Sequence, residues 1–320
     1  PRKGINISGL DVGLPSVNKK DLEYIKLAIK LDLDWLALSF VQSKNDRDSV
    51  DRLFKRMKKN IPLIAKIEKP EAVENIDSII DSFEGVLIAR GDLGLEMELE
   101  KVPSLQKKII RKCNVKCKPV ITATQMLESM VSSPLPTRAE VNDVAGAVYD
   151  GSDAIMLSGE TAIGDFPLES IRMMKSITVN VEKEILKNDQ FNRFIRTPDK
   201  NSPKKSICYS AYQMSKDLDI KVMVIMTESG NTGNAMSSFR PNATIIAMTP
   251  NQDVFRRLSL SWGILPIQVR KFKSTDQMLV FNKKFLIDEN IIKKDDLFIM
   301  TAGVPVGITG TTNMIKIEAV

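Results

Sequence analysis

The chain of 320 residues is 43% hydrophobic and 27% charged, enough for two ordinary domains that each bury a core. Its net charge of +6 comes from 46 basic and 40 acidic residues mixed along the sequence, without the aromatic-basic arrays that stack bases, so no nucleic-acid partner is expected. The absence of histidine excludes Ser-His-Asp and Cys-His nucleophile systems and His-ligated metals, and no apolar run is long enough to span a membrane.

The opening Pro1-Arg2-Lys3-Gly4 does not begin a signal peptide and has no initiator Met, so residues upstream of it are expected. From about residue 20 to 185 a unit recurs, in which a short apolar strand is followed by an amphipathic helix. Strands are predicted over residues 35–40, 63–68, 85–92, 119–125 and 154–160, and helical patterns include 49–58 and 71–82. Continuous apolar runs such as Val86-Leu87-Ile88-Ala89 suit parallel strands buried on both faces. Cys113 and Cys117 lie four apart near a helix end and could share a face. Without further thiols or histidines they form no zinc site, and with Cys208 they fit a reducing, cytoplasmic compartment, an organellar form remaining open.

Thr137-Arg138-Ala139-Glu140 has the form of a capping box after Pro136, and Val141, Val144, Ala145 and Val148 then share one helical face up to a stop at Gly151. A polar stretch with two prolines, residues 189–205, reads as a linker between a first domain (1–188) and a smaller α/β domain (206–320). In the latter a helix is predicted over 206–218, with strands at 221–227, 244–249, 264–269, 296–301 and 313–320.

Chemistry is concentrated where the strands of the first domain end: Leu38-Ser39-Phe40, Lys66-Ile67-Glu68, Arg90-Gly91-Asp92, Thr124-Gln125 and Ser158-Gly159-Glu160. In a parallel barrel such ends meet on the carboxyl face, where active sites are built. Glu68 and Asp92, from adjacent strands, suit a hard divalent cation with oxygen ligands. Lys66 can stabilise charge on a transferring phosphoryl or enolate oxygen, or it can form a structural salt bridge with Glu68 on the same strand face. Gly91 lets the backbone approach a small anion. Thr124 can bind a substrate carboxylate or serve a proton relay.

The stretch PLIAKIEKPEAV (62–73) resembles the active-site signature of the pyruvate kinase family. GVLIARGDLGL (85–95) is similar to its metal-binding strand, and ITATQMLESM, PTRAEVNDVAGAVYDG and SDAIMLSGETA continue the resemblance through residue 162. It implies an α/β fold: the last five βα units of a (β/α)8 TIM-type barrel, then a smaller α/β regulatory domain. Gly4 to Pro15 resembles the return from an inserted lid domain, so the first three units and the lid are expected outside this sequence.

By the resemblance, the activity is phosphoryl transfer from phosphoenolpyruvate to ADP, giving pyruvate and ATP. Lys66 would stabilise the transition state, and Glu68 and Asp92 would hold Mg²⁺ or Mn²⁺. Gly91, Asp92, Thr124 and Arg90 would bind substrate, and Ser158 and Glu160 would join the water network that protonates the enolate. Ligands for K⁺ would lie in the missing N-terminal part. A homotetramer is implied; Arg138 resembles an arginine near a subunit interface, or is simply an exposed first-turn residue. Two other readings stand beside this one: another metal-dependent phosphoenolpyruvate or enolate enzyme, and a non-catalytic fragment serving assembly or effector binding.

In the second domain Thr227, Ser229, Gly230, Asn231 and Thr232 form a strand-to-helix loop suited to a phosphate, similar to the family's site for a sugar-phosphate or nucleotide effector. A plain capped turn is the alternative. Glu228, where some fructose-bisphosphate-activated relatives carry lysine, would repel a second phosphate, so a monophosphorylated effector or none is expected. Residues 301–313 resemble a mobile loop over that site.

Overall fold

The computed structural model describes residues 16–187, 202–307 and 310–320, in two compact units, Pro1–Lys187 and Asn188–Val320. Most of the expected linker, residues 189–201, and the segment from Gly4 to Pro15 lie outside the described residues.

In the first unit five parallel strands pair in chain order: β1 (Leu36–Leu38), β2 (Leu63–Ile67), β3 (Gly85–Ala89), β4 (Val120–Ala123) and β5 (Ala154–Met156). Every residue of β3 and β4 is buried, as their continuous apolar runs suit, and Val86, Ile88 and Val120 pack on one face against helix residues such as Ile79, Ile80, Ile109 and Ile110. The edge strands β1 and β5 are shorter and partly exposed. All five stop before the ends expected from the sequence. Apart from Lys66, which lies within β2, the polar residues that close each predicted strand lie in the following loop or helix turn, where the chain turns away at the rim of the sheet. Beyond β3 the helix Arg90–Glu96 begins at once, so Arg90, Gly91 and Asp92 form a helical first turn and not strand.

The helix Asp48–Met57 buries Val50, Leu53 and Phe54, and fully burying such a side chain contributes about 1.5–3 kcal/mol each. These join Leu63, Ile67, Ile79, Phe83 and Ile88 in one core. The pattern over 71–82 resolves into two helices, Pro70–Glu74 and Ile76–Ser82, meeting at Asn75. The capping box forms as expected: the Thr137 side chain accepts from Glu140 N, and Glu140 accepts from Thr137 N (2.7 Å), opening the helix Arg138–Tyr149. Gly151, at φ +93°, follows its end in the left-handed conformation that favours glycine.

The second unit opens with the helix Pro203–Asp217, which begins inside the expected linker. Its strands are β6 (Val222–Met226), β7 (Thr244–Thr249), β8 (Ile264–Gln268), β9 (Leu297–Gly303) and β10 (Thr312–Ala319), ordered β10-β9-β6-β7-β8 with only β10 antiparallel. Met226, Met248, Met278, Phe298 and Met300 lie in a separate core. Cys113, Cys117 and Cys208 are thiols. Cys113 is buried within the helix Val102–Val115, whereas Cys117 lies beyond its end at φ +55°, so the two do not share a helical face. Burial pushes the Cys113 thiol up, which leaves it protonated and inert. Among the described residues no helix is long and apolar enough to cross a membrane.

Candidate active site

Parallel pairing brings the carboxyl ends of β1 to β5 to one rim. In the register Ile67 lies opposite Ile88, so Glu68 stands level with Ala89 and Asp92 follows in the first turn of the adjoining helix. Lys66 Nζ lies 2.5 Å from Glu68 Oε1 and donates to Ser39 Oγ at 2.9 Å, which links β2 to the end of β1. Glu68 is 2% exposed, and its second oxygen accepts from Phe40 N at 2.8 Å. This carboxylate is buried because a cation and a backbone N–H compensate its lost hydration. Asp92 is half-buried, and among the described residues its carboxylate enters no hydrogen bond or ion pair.

A second group forms around β3 and β4. Gly91 N donates to Thr124 Oγ1 at 2.7 Å, and that hydroxyl donates to Ala123 O at 2.6 Å. The Gly91 amide and Thr124 hydroxyl expected to meet substrate therefore meet each other. Arg90 is 7% exposed, and its guanidinium is held by partners within the protein. It donates to the carbonyls of Thr124 (2.8 Å) and Gln125 (2.9 Å) and to Asp143 Oδ2 (2.5 Å).

The third group belongs to β5. Glu160, 1% exposed, accepts from Ser158 N at 2.8 Å and Leu127 N at 3.0 Å, so it ties the loop after β5 to the loop after β4. Lys66 and Glu68 are thus in direct contact, as are Arg90, Gly91 and Thr124, and likewise Ser158 and Glu160. The three groups are joined by the common rim.

Residues outside the expected set also hold the site. Ser39 was legible as a polar strand end. Asp143 was not, because it lies within a helix 53 residues from Arg90 and only the tertiary fold pairs them. Lys69 Nζ approaches the buried Glu96 at 3.7 Å and links the segment after Glu68 to the helix that carries Asp92. Arg138 is exposed at the first position of its helix.

Glu68, in contact with the Lys66 ammonium that Ser39 also holds, and Asp92 on the adjoining helix are oxygen donors of the kind a hard divalent cation takes, and two such ligands leave several of its sites to water and substrate oxygens. Among the described residues no group of three or more His, Cys, Asp or Glu side chains could hold a metal ion. Glu68 and Asp92 could hold Mg²⁺ or Mn²⁺ only in such a partly open shell.

In the second unit a cavity partly open to solvent is lined by Thr227, Glu228, Ser229 and Thr232. Arg270 and Lys271, which sequence reading did not single out, line it too. Thr227 Oγ1 accepts from Gly230 N at 3.0 Å, and the buried Thr232 and Thr312 hydroxyls are 2.6 Å apart. Ser229 and Asn231 are exposed. Gly303, Gly307 and Gly310 border the cavity, and part of the expected covering loop, 308–309, lies outside the described residues.

Residues 1–171 match the family described as pyruvate kinase, barrel domain, and residues 205–318 match pyruvate kinase, alpha/beta domain. Proteins named pyruvate kinase from Staphylococcus aureus strains MRSA252 and USA300 are each 42% identical to the chain over 324 aligned positions, covering 100% of it. The chain spans about half, 54%, of the length of these relatives.

Proposed function

This chain belongs to the pyruvate kinase family, and from that premise we propose that in the full-length enzyme it carries out phosphoryl transfer from phosphoenolpyruvate to ADP, the last step of glycolysis. The observation that carries this reading is the contact of Lys66 with Ser39 and the buried Glu68 on the rim that also bears Asp92. A bound Mg²⁺ or Mn²⁺ would supply Lewis-acid neutralisation of phosphate and enolate oxygens, with Glu68 and Asp92 as its protein ligands.

Lys66 places a positive charge where the phosphoryl group leaves the enolate oxygen for a terminal oxygen of ADP, and Ser39 and Glu68 hold its ammonium in place. Gly91 N–H and Thr124 Oγ1 exchange their mutual hydrogen bond for the substrate carboxylate. The bond between phosphorus and the enol oxygen breaks as one to ADP forms, and the enolate takes a proton at its methylene carbon to become pyruvate. Ser158, in a loop held by the buried Glu160, belongs to the water network that delivers this proton.

A coupled assay tests the proposal. Full-length protein with phosphoenolpyruvate, ADP and Mg²⁺ should form pyruvate and ATP in equal amounts. Pyruvate without ATP would favour another enolate chemistry. Because the chain spans 54% of its relatives, the polypeptide alone could bind ligand without turnover; the same assay on the 320-residue chain separates the two cases.

The cavity between the loop after β6 and Arg270-Lys271 supports binding of a phosphorylated effector, a sugar phosphate or nucleotide with one phosphate near the hydroxyls and cations. The full-length enzyme is proposed to be a homotetramer, and the three free thiols of this chain support a reducing cytoplasmic setting.

A further inference from the structure

Backbone strain in the first unit falls into two groups. Asp32, Lys58 and Cys117 adopt positive φ where helices end, a usual place for that conformation. Phe40, Thr124 and Gln125, at φ +56°, +67° and +52°, lie instead at the carboxyl rim, immediately beyond β1 and β4. Two consecutive residues without glycine in the left-handed region are unfavourable, and the first is β-branched. Such a conformation persists only where its surroundings over-determine it.

Arg90 supplies that constraint. Its Nη2 donates to the carbonyl oxygens of both strained residues, Thr124 and Gln125, and its Nε lies 3.3 Å from Thr124 O. Asp143 Oδ2 takes Nη1 at 2.5 Å and fixes the guanidinium from the far side. With the loop so held, Thr124 Oγ1 lies 2.7 Å from Gly91 N, and a Cβ on residue 91 would meet that oxygen at 3.4 Å. The guanidinium has little capacity left for a ligand.

We propose that Arg90 and Asp143 are a positioning pair: Asp143 orients Arg90, and Arg90 holds Thr124 in the left-handed conformation that presents its hydroxyl to the Gly91 amide. This assigns a role to Asp143, and it replaces substrate contact by Arg90 with action through Thr124. It rests on the proposed function only in naming the substrate that Thr124 serves.

Three variants of the full-length protein test it. Asp143→Ala removes the acceptor at a site 46% exposed, where no buried cavity results. Asp143→Asn keeps an acceptor, and Arg90→Lys keeps charge while losing the fork. Hydrogen exchange over residues 122–128, without ligand, should accelerate in Asp143→Ala and Arg90→Lys, while protection elsewhere in the barrel stays unchanged. Mn²⁺ affinity, followed by electron paramagnetic resonance, should stay within about twofold, while kcat/KM for phosphoenolpyruvate falls roughly tenfold or more in Asp143→Ala. Asp143→Asn should restore most of both. Unchanged exchange over 122–128 in Asp143→Ala, or acceleration spread evenly across the barrel, overturns the proposal. Local acceleration in a protein that makes no ATP would retain the pair and reject the kinase reading.

Discussion

Lys66 stands between Ser39 and Glu68, and its removal has two separable consequences. Lys66→Met in the full-length enzyme should lower turnover by about 10³-fold or more, the scale of losing a preorganised charge at the transition state. It also leaves the buried Glu68 carboxylate without its cation, a penalty of about 1–3 kcal/mol once the partial exposure of Lys66 is allowed for. Thermal unfolding of the metal-free variant should therefore fall below wild type and recover in part with added Mg²⁺. Turnover equal to wild type would remove Lys66 from the chemistry. Asp92 tests the metal side. Asp92→Asn should raise the Mg²⁺ concentration for half activity by about 10–100-fold, since even an outer partner of a ligand carries that much. An unaltered titration would leave Glu68 without its proposed companion.

At the scale of one element, the helix Arg138–Tyr149 shows how a local signal becomes a tertiary joint. Its capping box was plain in Thr137 and Glu140, but Glu140 also accepts from Ser129 N at 2.7 Å and Ser129 Oγ at 2.5 Å. Burial disfavours the charged form of Glu140; the hydrogen bonds from Ser129 and Thr137 outweigh it, and the carboxyl is held below the usual range. A depressed carboxylate pKa stabilises the fold at pH above the unfolded value, near 4.5, and that stabilisation is lost as pH falls through the folded value. Urea titrations should show Thr137→Ala destabilising by about 1 kcal/mol at neutral pH. Glu140→Gln should also destabilise at neutral pH, with its gap from wild type closing as pH drops below 4.5. A gap independent of pH would mean that the Glu140 charge plays no part.

Across the whole molecule, each unit has its own sheet and its own core, and each carries polar residues at the carboxyl ends of its parallel strands. In the second unit Glu228 shares the cavity with Arg270 and Lys271, so cations and a carboxylate compete for the field that a ligand meets. Calorimetry with full-length protein should detect a sugar monophosphate more readily than fructose bisphosphate. Tight binding of the bisphosphate would reject the reading of Glu228 as a barrier to the second phosphate.

The periodicity of apolar runs was enough to place the ten strands seen among the described residues and the parallel class of the first sheet, because a strand buried on both faces tolerates little else. It overran the strand ends: Arg90, Gly91 and Asp92 read as strand and fold as a helix turn, since residue type does not mark where a sheet loses its next partner. The Lys66–Glu68 contact was legible from spacing, because residues two apart on a strand share a face. The Arg90–Asp143 pair was not, since 53 residues separate them and nothing local in a helical aspartate names its partner. Left-handed Thr124 and Gln125 carry no sign of that conformation in their residue types; the contacts that hold it exist only once β3, β4 and the helix Arg138–Tyr149 are packed together. By itself, then, the sequence determined which groups reach the rim, through polar residues set at the ends of continuous apolar runs. Tertiary structure alone decided which of them bind one another, because that depends on distances between separate segments that only folding brings within hydrogen-bond reach.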